Sequence, residues 1–148
     1  MSNGPLIPYS TTLHVRDTCL CLHAQRAARA LARRFDTALK PTGLTNQQFS
    51  LMMALNRPEP PPMGPVARLL AMDRTTLTAA LKPLSARGWV LVEPDPKDRR
   101  GKRLRLTPAG SAALASAVPI WKEVHAAIEA AMSSNADVLR QGLLEVSG

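Results

Sequence analysis

Between Trp89 and Leu106 the chain abandons the spacing that governs the rest of it. On either side, apolar residues recur every three or four positions, the period of a helix with one buried face. Here Trp89, Val90, Leu91 and Val92 read instead as a short, largely buried strand. Arg103, Leu104, Arg105 and Leu106 alternate charge with leucine, the period of a strand with one face on a core. Residues 93–101, with Pro94, Pro96 and Gly101, read as the hairpin tip between them, and the return strand is expected after Lys102. Two strands alone are marginal in water, so a single hairpin must lie against helices. The expected fold class is therefore mostly α with a small β-hairpin.

The helices are bounded by clear punctuation. The first sixteen residues read as a loose arm, and a long amphipathic helix is expected from Asp17, a plausible cap, through Leu20, Ala24, Ala27, Leu31, Phe35 and Leu39. Pro41 and Gly43 end it. Arg26, Arg29 and Arg33 make a second stripe along it. Thr45, with Gln48 three residues on, forms a capping box for a helix whose apolar face is Phe49, Met52, Met53 and Leu55. The run Arg57-Pro58-Glu59-Pro60-Pro61-Pro62 cannot continue that helix. A short helix follows over 64–71, with Pro65 in its first turn and Val66, Leu69 and Leu70 inward. Asp73 caps the next, about 74–87, with Leu77, Ala80, Leu81 and Leu84 inward, Pro83 inside and Gly88 at its end. Thr107-Pro108 opens a last pair. Leu114, Val118, Trp121, Val124 and Ile128 line the first of these, and Ser134 is expected to cap the second, which carries Val138, Leu139, Leu143 and Leu144.

Charge narrows the partner. Nineteen Lys and Arg against eleven Asp and Glu give a net charge of +8 over 148 residues, which suggests a polyanion. No stretch approaches the ~18 apolar residues that span a bilayer, and the N-terminal residues lack the pattern of a signal peptide, so a cytoplasmic protein without a membrane partner is expected. Aromatic residues are only 3%, too few for stacking platforms on single strands, which favours a duplex. Cys19 and Cys21, two residues apart on one expected helix, would face opposite ways and should not pair. With His14, His23 and His125 they make no zinc-ligand spacing, so neither metal nor cofactor is expected.

The segment from Met63 to Leu106 is then a short helix, a turn, a second helix and a hairpin with a basic tip. This order is a helix-turn-helix followed by a wing. Arg74, Thr75, Thr76 and Thr78 stand at the start of the second helix, where hydroxyls and a guanidinium reach base edges and the helix dipole favours phosphate; Lys82, further along, reaches backbone. Lys97, Arg99, Arg100, Lys102 and Arg103 crowd the tip, which suits the adjacent minor groove. Asp98 among them is expected to pair with and orient an arginine.

These residues resemble the MarR family of transcriptional regulators, over roughly residues 18–128. The most specific part is Asp95-Pro96-Lys97-Asp98-Arg99-Arg100-Gly101 followed by Leu104-Arg105-Leu106-Thr107-Pro108-Ala109-Gly110, similar to the family's wing and its Leu-Thr-x-x-Gly signature. Leu84-Ser85-Ala86-Arg87-Gly88-Trp89-Val90 and Gly43-Leu44-Thr45 with Gln48-Phe49 are similar as well. The resemblance implies one domain over 1–148: an arm over 1–16, dimerisation helices over 17–43 and 108–148, and a winged-helix lobe over 45–106. It implies a homodimer on a pseudo-palindromic operator, acting as a repressor that a small molecule or an oxidant releases. Family effectors are often aromatic carboxylates or phenols, and the arginine stripe offers one means of binding a carboxylate.

Cys21 resembles the reactive cysteine of the branch that senses organic peroxides, but Gln25, Phe35 and Asn46 stand where that branch has tyrosines. The alternative reading of Cys21 is a small buried hydrophobe. Trp89, Trp121, Met52, Met53 and Met72 read as core. No catalytic set is evident, so an enzyme is not expected; a thiol peroxidase built on Cys21 is the one enzymatic reading the residues allow. A sequence-neutral nucleic-acid-binding protein would share the charge without needing a wing.

Overall fold

The computed structural model describes Gly4 and residues 6–148. The chain divides into two compact units, the residues up to Arg34 and Phe35–Gly148. Its elements are α1 (Tyr9–Thr18), α2 (Leu20–Leu39), a 3-10 turn (Lys40–Thr42), α3 (Asn46–Leu55), α4 (Met63–Leu69), α5 (Arg74–Ala86), β1 (Val90–Asp95), β2 (Asp98–Leu106), α6 (Pro108–Ala131) and α7 (Ala136–Ser147).

The first unit corrects the N-terminal reading. The expected arm lies partly outside the described residues, at 1–3 and 5, but from Tyr9 the chain is helical. The sequence hides this helix because α1 buries none of its residues and has no apolar face to betray it. Asp17 sits inside α1, its carboxylate 2.7 Å from Arg16 Nε, and does not cap α2. Cys19 does. It breaks the chain with an extended ψ of 112°, and its Sγ accepts the Leu22 N–H at 3.4 Å. The Cys19 carbonyl accepts the His23 N–H at 3.1 Å. The two cysteines therefore do not share one helix; both are free thiols, Cys19 half-buried and Cys21 exposed.

The second unit holds the core. Leu39 at the end of α2, Leu51, Met52 and Leu55 of α3, Val66 of α4, Leu77, Leu81 and Leu84 of α5, Val90 and Leu104 of the hairpin, and Leu114 of α6 are all buried together. Several capping residues of this unit act through chemistry the sequence announced. Thr45 Oγ1 accepts the Gln48 N–H at 3.1 Å while Gln48 Oε1 accepts the Thr45 N–H at 3.1 Å. Gly43 and Gly88 take the left-handed backbone, φ 75° and 74°, that ends their helices. Three assignments change. Leu69, expected inward, is 63% exposed, because α4 ends there; Val66, as expected, and Ala67 face inward. Phe49, Met52 and Leu55 are buried as expected, but Met53 is exposed and Leu51 and Ala54 are buried in addition. Asn135, and not Ser134, caps α7, its side-chain oxygen reaching both Asp137 N–H (2.8 Å) and Val138 N–H (3.2 Å).

The hairpin is longer than expected, because its strands continue into the charged segment. Pairing runs antiparallel from Val90↔Leu106 through Val92↔Leu104 and Glu93↔Arg103 to Pro94↔Lys102, then skips to Asp95↔Asp98 across a bulge. Alternation puts Val90, Val92 and Leu104 on one side and Glu93, Arg103 and Arg105 on the other. Of these only Val90 and Leu104 are buried. Leu91 and Val92, expected in a largely buried strand, are 47% and 43% exposed because a two-stranded hairpin leaves the core beyond its root. A third segment reinforces the root: the Leu104 N–H donates to the Pro61 carbonyl at 2.9 Å, so the proline run after α3 lies along β2.

The joint between hairpin and α6 explains the Leu-Thr-x-x-Gly signature physically. Thr107 caps α6, its hydroxyl oxygen accepting the Gly110 N–H at 3.0 Å while its O–H donates to the Gly88 carbonyl at 2.6 Å. The Thr107 N–H donates to the Trp89 carbonyl at 3.0 Å. That carbonyl also lies where a Cβ of residue 110 would stand, so only glycine fits. Gly110→Ala is expected to destabilise the protein by about 1–3 kcal/mol, the usual range for overpacking, in chemical denaturation. A change below about 0.5 kcal/mol would show that the joint yields.

Candidate nucleic-acid interface

Helices α4 and α5 form the helix-turn-helix. Their turn is a six-residue C-terminal motif built around Ala71, which adopts φ 52°, with the Met72 N–H donating to the Ala67 carbonyl at 2.9 Å. It is the one non-glycine residue with positive φ among the described residues. Asp73 then caps α5, Oδ1 accepting the Thr76 N–H at 2.7 Å. Hydrogen bonds from the backbone and hydroxyl of Thr76 hold its carboxyl below the ordinary carboxylate range. Its stabilising effect is therefore present above that range and is lost as the pH falls through the lowered value. This carboxylate already takes one of the N-terminal N–H groups, that of Thr76, at the helix end that was expected to favour a phosphate.

All five candidate residues of α5, Arg74, Thr75, Thr76, Thr78 and Lys82, are exposed. At 100° per residue, Thr78 and Lys82 share one side of the helix and Thr76 lies on the far side from Thr78. The structure brings Thr78 and Lys82 together with Lys102 of β2 around a cleft of about 420 Å³, floored by Met63, Leu81 and Val92. Second helix and hairpin thus form one continuous surface.

The hairpin sorts its charges. At the tip, Asp95 Oδ1 accepts the Lys97 N–H at 2.9 Å and Asp98 Oδ1 accepts the Arg100 N–H at 3.0 Å. Asp98, expected to pair with an arginine side chain, instead shapes the backbone, a familiar use of a short carboxylate in a tight turn. Lys97, Arg99, Arg100 and Lys102 are exposed and have no carboxylate partner within ion-pair distance among the described residues. Arg103 departs from this group. Its Nε is 3.4 Å from Glu93 Oε2 and buried, too oblique for a hydrogen bond. Arg105 Nε donates to Glu93 Oε1 at 3.2 Å. Glu93 was missed in the sequence: counting back from the tip misplaces it, because the bulge offsets the register by several residues.

Two polar contacts fix the base of the lobe. Asp36 Oδ1 accepts both the backbone N–H (2.6 Å) and side-chain amide (2.8 Å) of Asn46. Arg87 stacks 4.3 Å from the Trp89 ring and donates to the Gly43 carbonyl at 2.6 Å. Of the three residues standing in place of tyrosines, Asn46 is thus engaged elsewhere, Phe35 packs on the core, and Gln25 alone meets Cys21, its amide 3.4 Å from Sγ.

Residues 42–101 match the model of the MarR family. The transcriptional regulator MosR of M. tuberculosis, solved in complex with DNA, is 37% identical, with 88% of this chain and 94% of that one covered and a TM-score of 0.80. The repressor CouR, bound to a 23-mer DNA duplex, is 26% identical over 90% of this chain and 96% of its own, TM-score 0.77. Among curated relatives, the transcriptional activatory protein BadR of Rhodopseudomonas palustris is 33% identical over 57% of this chain. The transcriptional repressor NicR of Pseudomonas putida is 32% identical over 55%. The matches span about half the length of these curated relatives. The fold is a winged helix-turn-helix, and the chain belongs to the MarR family of transcriptional regulators.

Ala71 gives a direct test of the turn. A left-handed alanine is strained and a glycine there is not, so Ala71→Gly is expected to raise stability by about 0.5–1 kcal/mol in chemical denaturation. A loss of stability would mean that the turn does not hold this conformation in solution.

Proposed function

We propose that the protein binds a pseudo-palindromic duplex DNA site as a homodimer, represses transcription there, and is released by a small aromatic acid. The observation that carries the DNA reading is the continuous surface of α5 and hairpin. Thr75, Thr78 and Lys82 face outward from one element, and Lys97, Arg99, Arg100 and Lys102 stand unpaired on the other. In this reading α5 enters the major groove and the tip reaches the neighbouring minor groove. Arg74 touches backbone, Thr76 acts mainly through the cap, and Arg103 is held in reserve by Glu93.

A second copy is favoured by exposed apolar side chains on the terminal helices: Leu20 and Leu31 of α2, and Val138, Leu139, Leu143 and Leu144 of α7. Apolar groups repeated along two helices favour association, and a two-fold partner matches two half-sites. Residues 17–43 and 108–148 are the proposed dimerisation segments around the lobe at 45–106.

The effector reading rests on a cleft of about 570 Å³ bounded by Phe49, Met53, Leu69 and Trp121, with Lys122 as its one cation. Such a cleft suits an aromatic ring with a carboxylate. Oxidation of Cys21 is the competing signal; it is exposed, with Gln25 as its only hydrogen-bond partner among the described residues.

Selection from a randomised duplex pool, followed by anisotropy titration, tests the DNA reading. The selected site is expected to bind at least about 10³-fold more tightly than random duplex at physiological salt. Equal affinity would support sequence-neutral binding instead. Arg100→Ala is expected to weaken binding and to reduce the slope of log K against log salt by about 1. For the effector, aromatic carboxylates should raise the melting temperature of the parent and not of Lys122→Met. Release of DNA by peroxide, abolished in Cys21→Ser, would replace that reading with the oxidant.

A further inference from the structure

Glu93 faces two arginines from a hairpin whose other cations stand unpaired. It is the cross-strand partner of Arg103, and Arg105 is its diagonal neighbour on the same face. Its two oxygens are divided between them, Oε2 lying 3.4 Å from Arg103 Nε and Oε1 3.2 Å from Arg105 Nε, with Arg105 Nη2 a further 3.4 Å from Oε2. The hydrogen bond from Arg105 and the charges of both arginines hold the Glu93 carboxyl below the ordinary range, so it is ionised at neutral pH. Asp95 and Asp98, the other acids of the hairpin, spend their oxygens on backbone N–H groups at the tip. The hairpin is therefore divided into a root whose guanidinium groups are tied to a carboxylate and a tip whose cations are not.

That division matters because phosphate contacts bind every sequence alike. Each phosphate neutralised by a lysine or arginine releases a counterion and steepens the salt dependence by about 0.9, with no information about bases. We propose that Glu93 is a specificity-determining residue: by holding Arg103 and Arg105 at the root of the hairpin, it keeps two guanidinium groups from gripping phosphate and so limits binding to random DNA. The inference rests on the DNA-binding reading above and concerns the same surface. Glu93 touches no DNA in this account; it acts through the arginines.

The test uses the full chain and a mixed-sequence 30-bp duplex, titrated by fluorescence anisotropy between about 50 and 200 mM salt. Glu93→Gln, which keeps the shape and loses the charge, is expected to steepen the salt slope by about 1 to 2 and to tighten binding to this duplex about tenfold at the lowest salt. The triple variant Glu93→Gln, Arg103→Gln, Arg105→Gln should return to the parent slope. Arg105→Gln alone should bind as the parent does within about twofold, since that arginine is already neutralised. Circular dichroism and melting temperature report whether the hairpin survives. Should Glu93→Gln unfold it, the Arg105→Gln arm still decides, and a slope shallower than the parent's by about 1 would overturn the inference. A folded Glu93→Gln protein with the parent slope overturns it too, as does a steeper slope that persists in the triple variant. A parent that binds no duplex at all would overturn the DNA-binding reading together with this one.

Discussion

The close approach of α6 to the root of the hairpin is the contact on which the rest depends. A strand carbonyl, that of Trp89, lies against the first turn of a helix at Gly110, and Thr107 fastens both sides of the junction with its hydroxyl and its N–H. Without that approach the two-stranded hairpin would lack a support, since strands in pairs are marginal alone. With it, Val90 and Leu104 reach the core beside Leu77, Leu84 and Leu114, and the outward face of the hairpin is fixed by alternation. The position of the basic tip relative to α5 follows from this joint.

Polar contacts do the finer positioning. The α5 start is set by Asp73, the α3 start by Thr45, Gln48 and Asp36, and the α5 exit by Arg87 between Trp89 and Gly43. None of these groups is deeply buried, and their contribution lies in geometry more than in stability. Their acids are also withdrawn from the cationic surface: each carboxylate near it is turned to a backbone N–H or to a root arginine. A surface of unpaired lysine and arginine side chains is thereby kept in a protein that carries eleven acids.

The terminal helices follow a different logic. The lobe buries most of its large apolar side chains, leaving Met53, Leu69, Leu91 and Val92 exposed, whereas α7 leaves Val138, Leu139, Leu143 and Leu144 uncovered and α2 leaves Leu20 and Leu31 uncovered. A chain of this size has enough core in Phe35–Gly148 to order the lobe, so these residues are surplus to its folding. Such terminal helices are where members of one fold can diverge while the winged helix stays constant.

Local chemistry alone determined much of this molecule. Capping at Thr45, Asp73 and Thr107, helix ends at Gly43 and Gly88, and the change of period at Trp89 are each set by residues within four positions of one another, so they are legible without a fold. What required tertiary structure has longer reach. Helix α1 buries none of its residues and leaves no periodic trace; Met53 and Leu69 face outward because neighbouring helices fix which face is covered. Pairing across the bulge decides that Glu93 meets Arg103 and Arg105 while Asp98 meets only backbone. A one-dimensional pattern gives the number of charges on a hairpin; only the register of its strands decides which of them remain unpaired, because an ion pair depends on distance across the ladder and not along the chain.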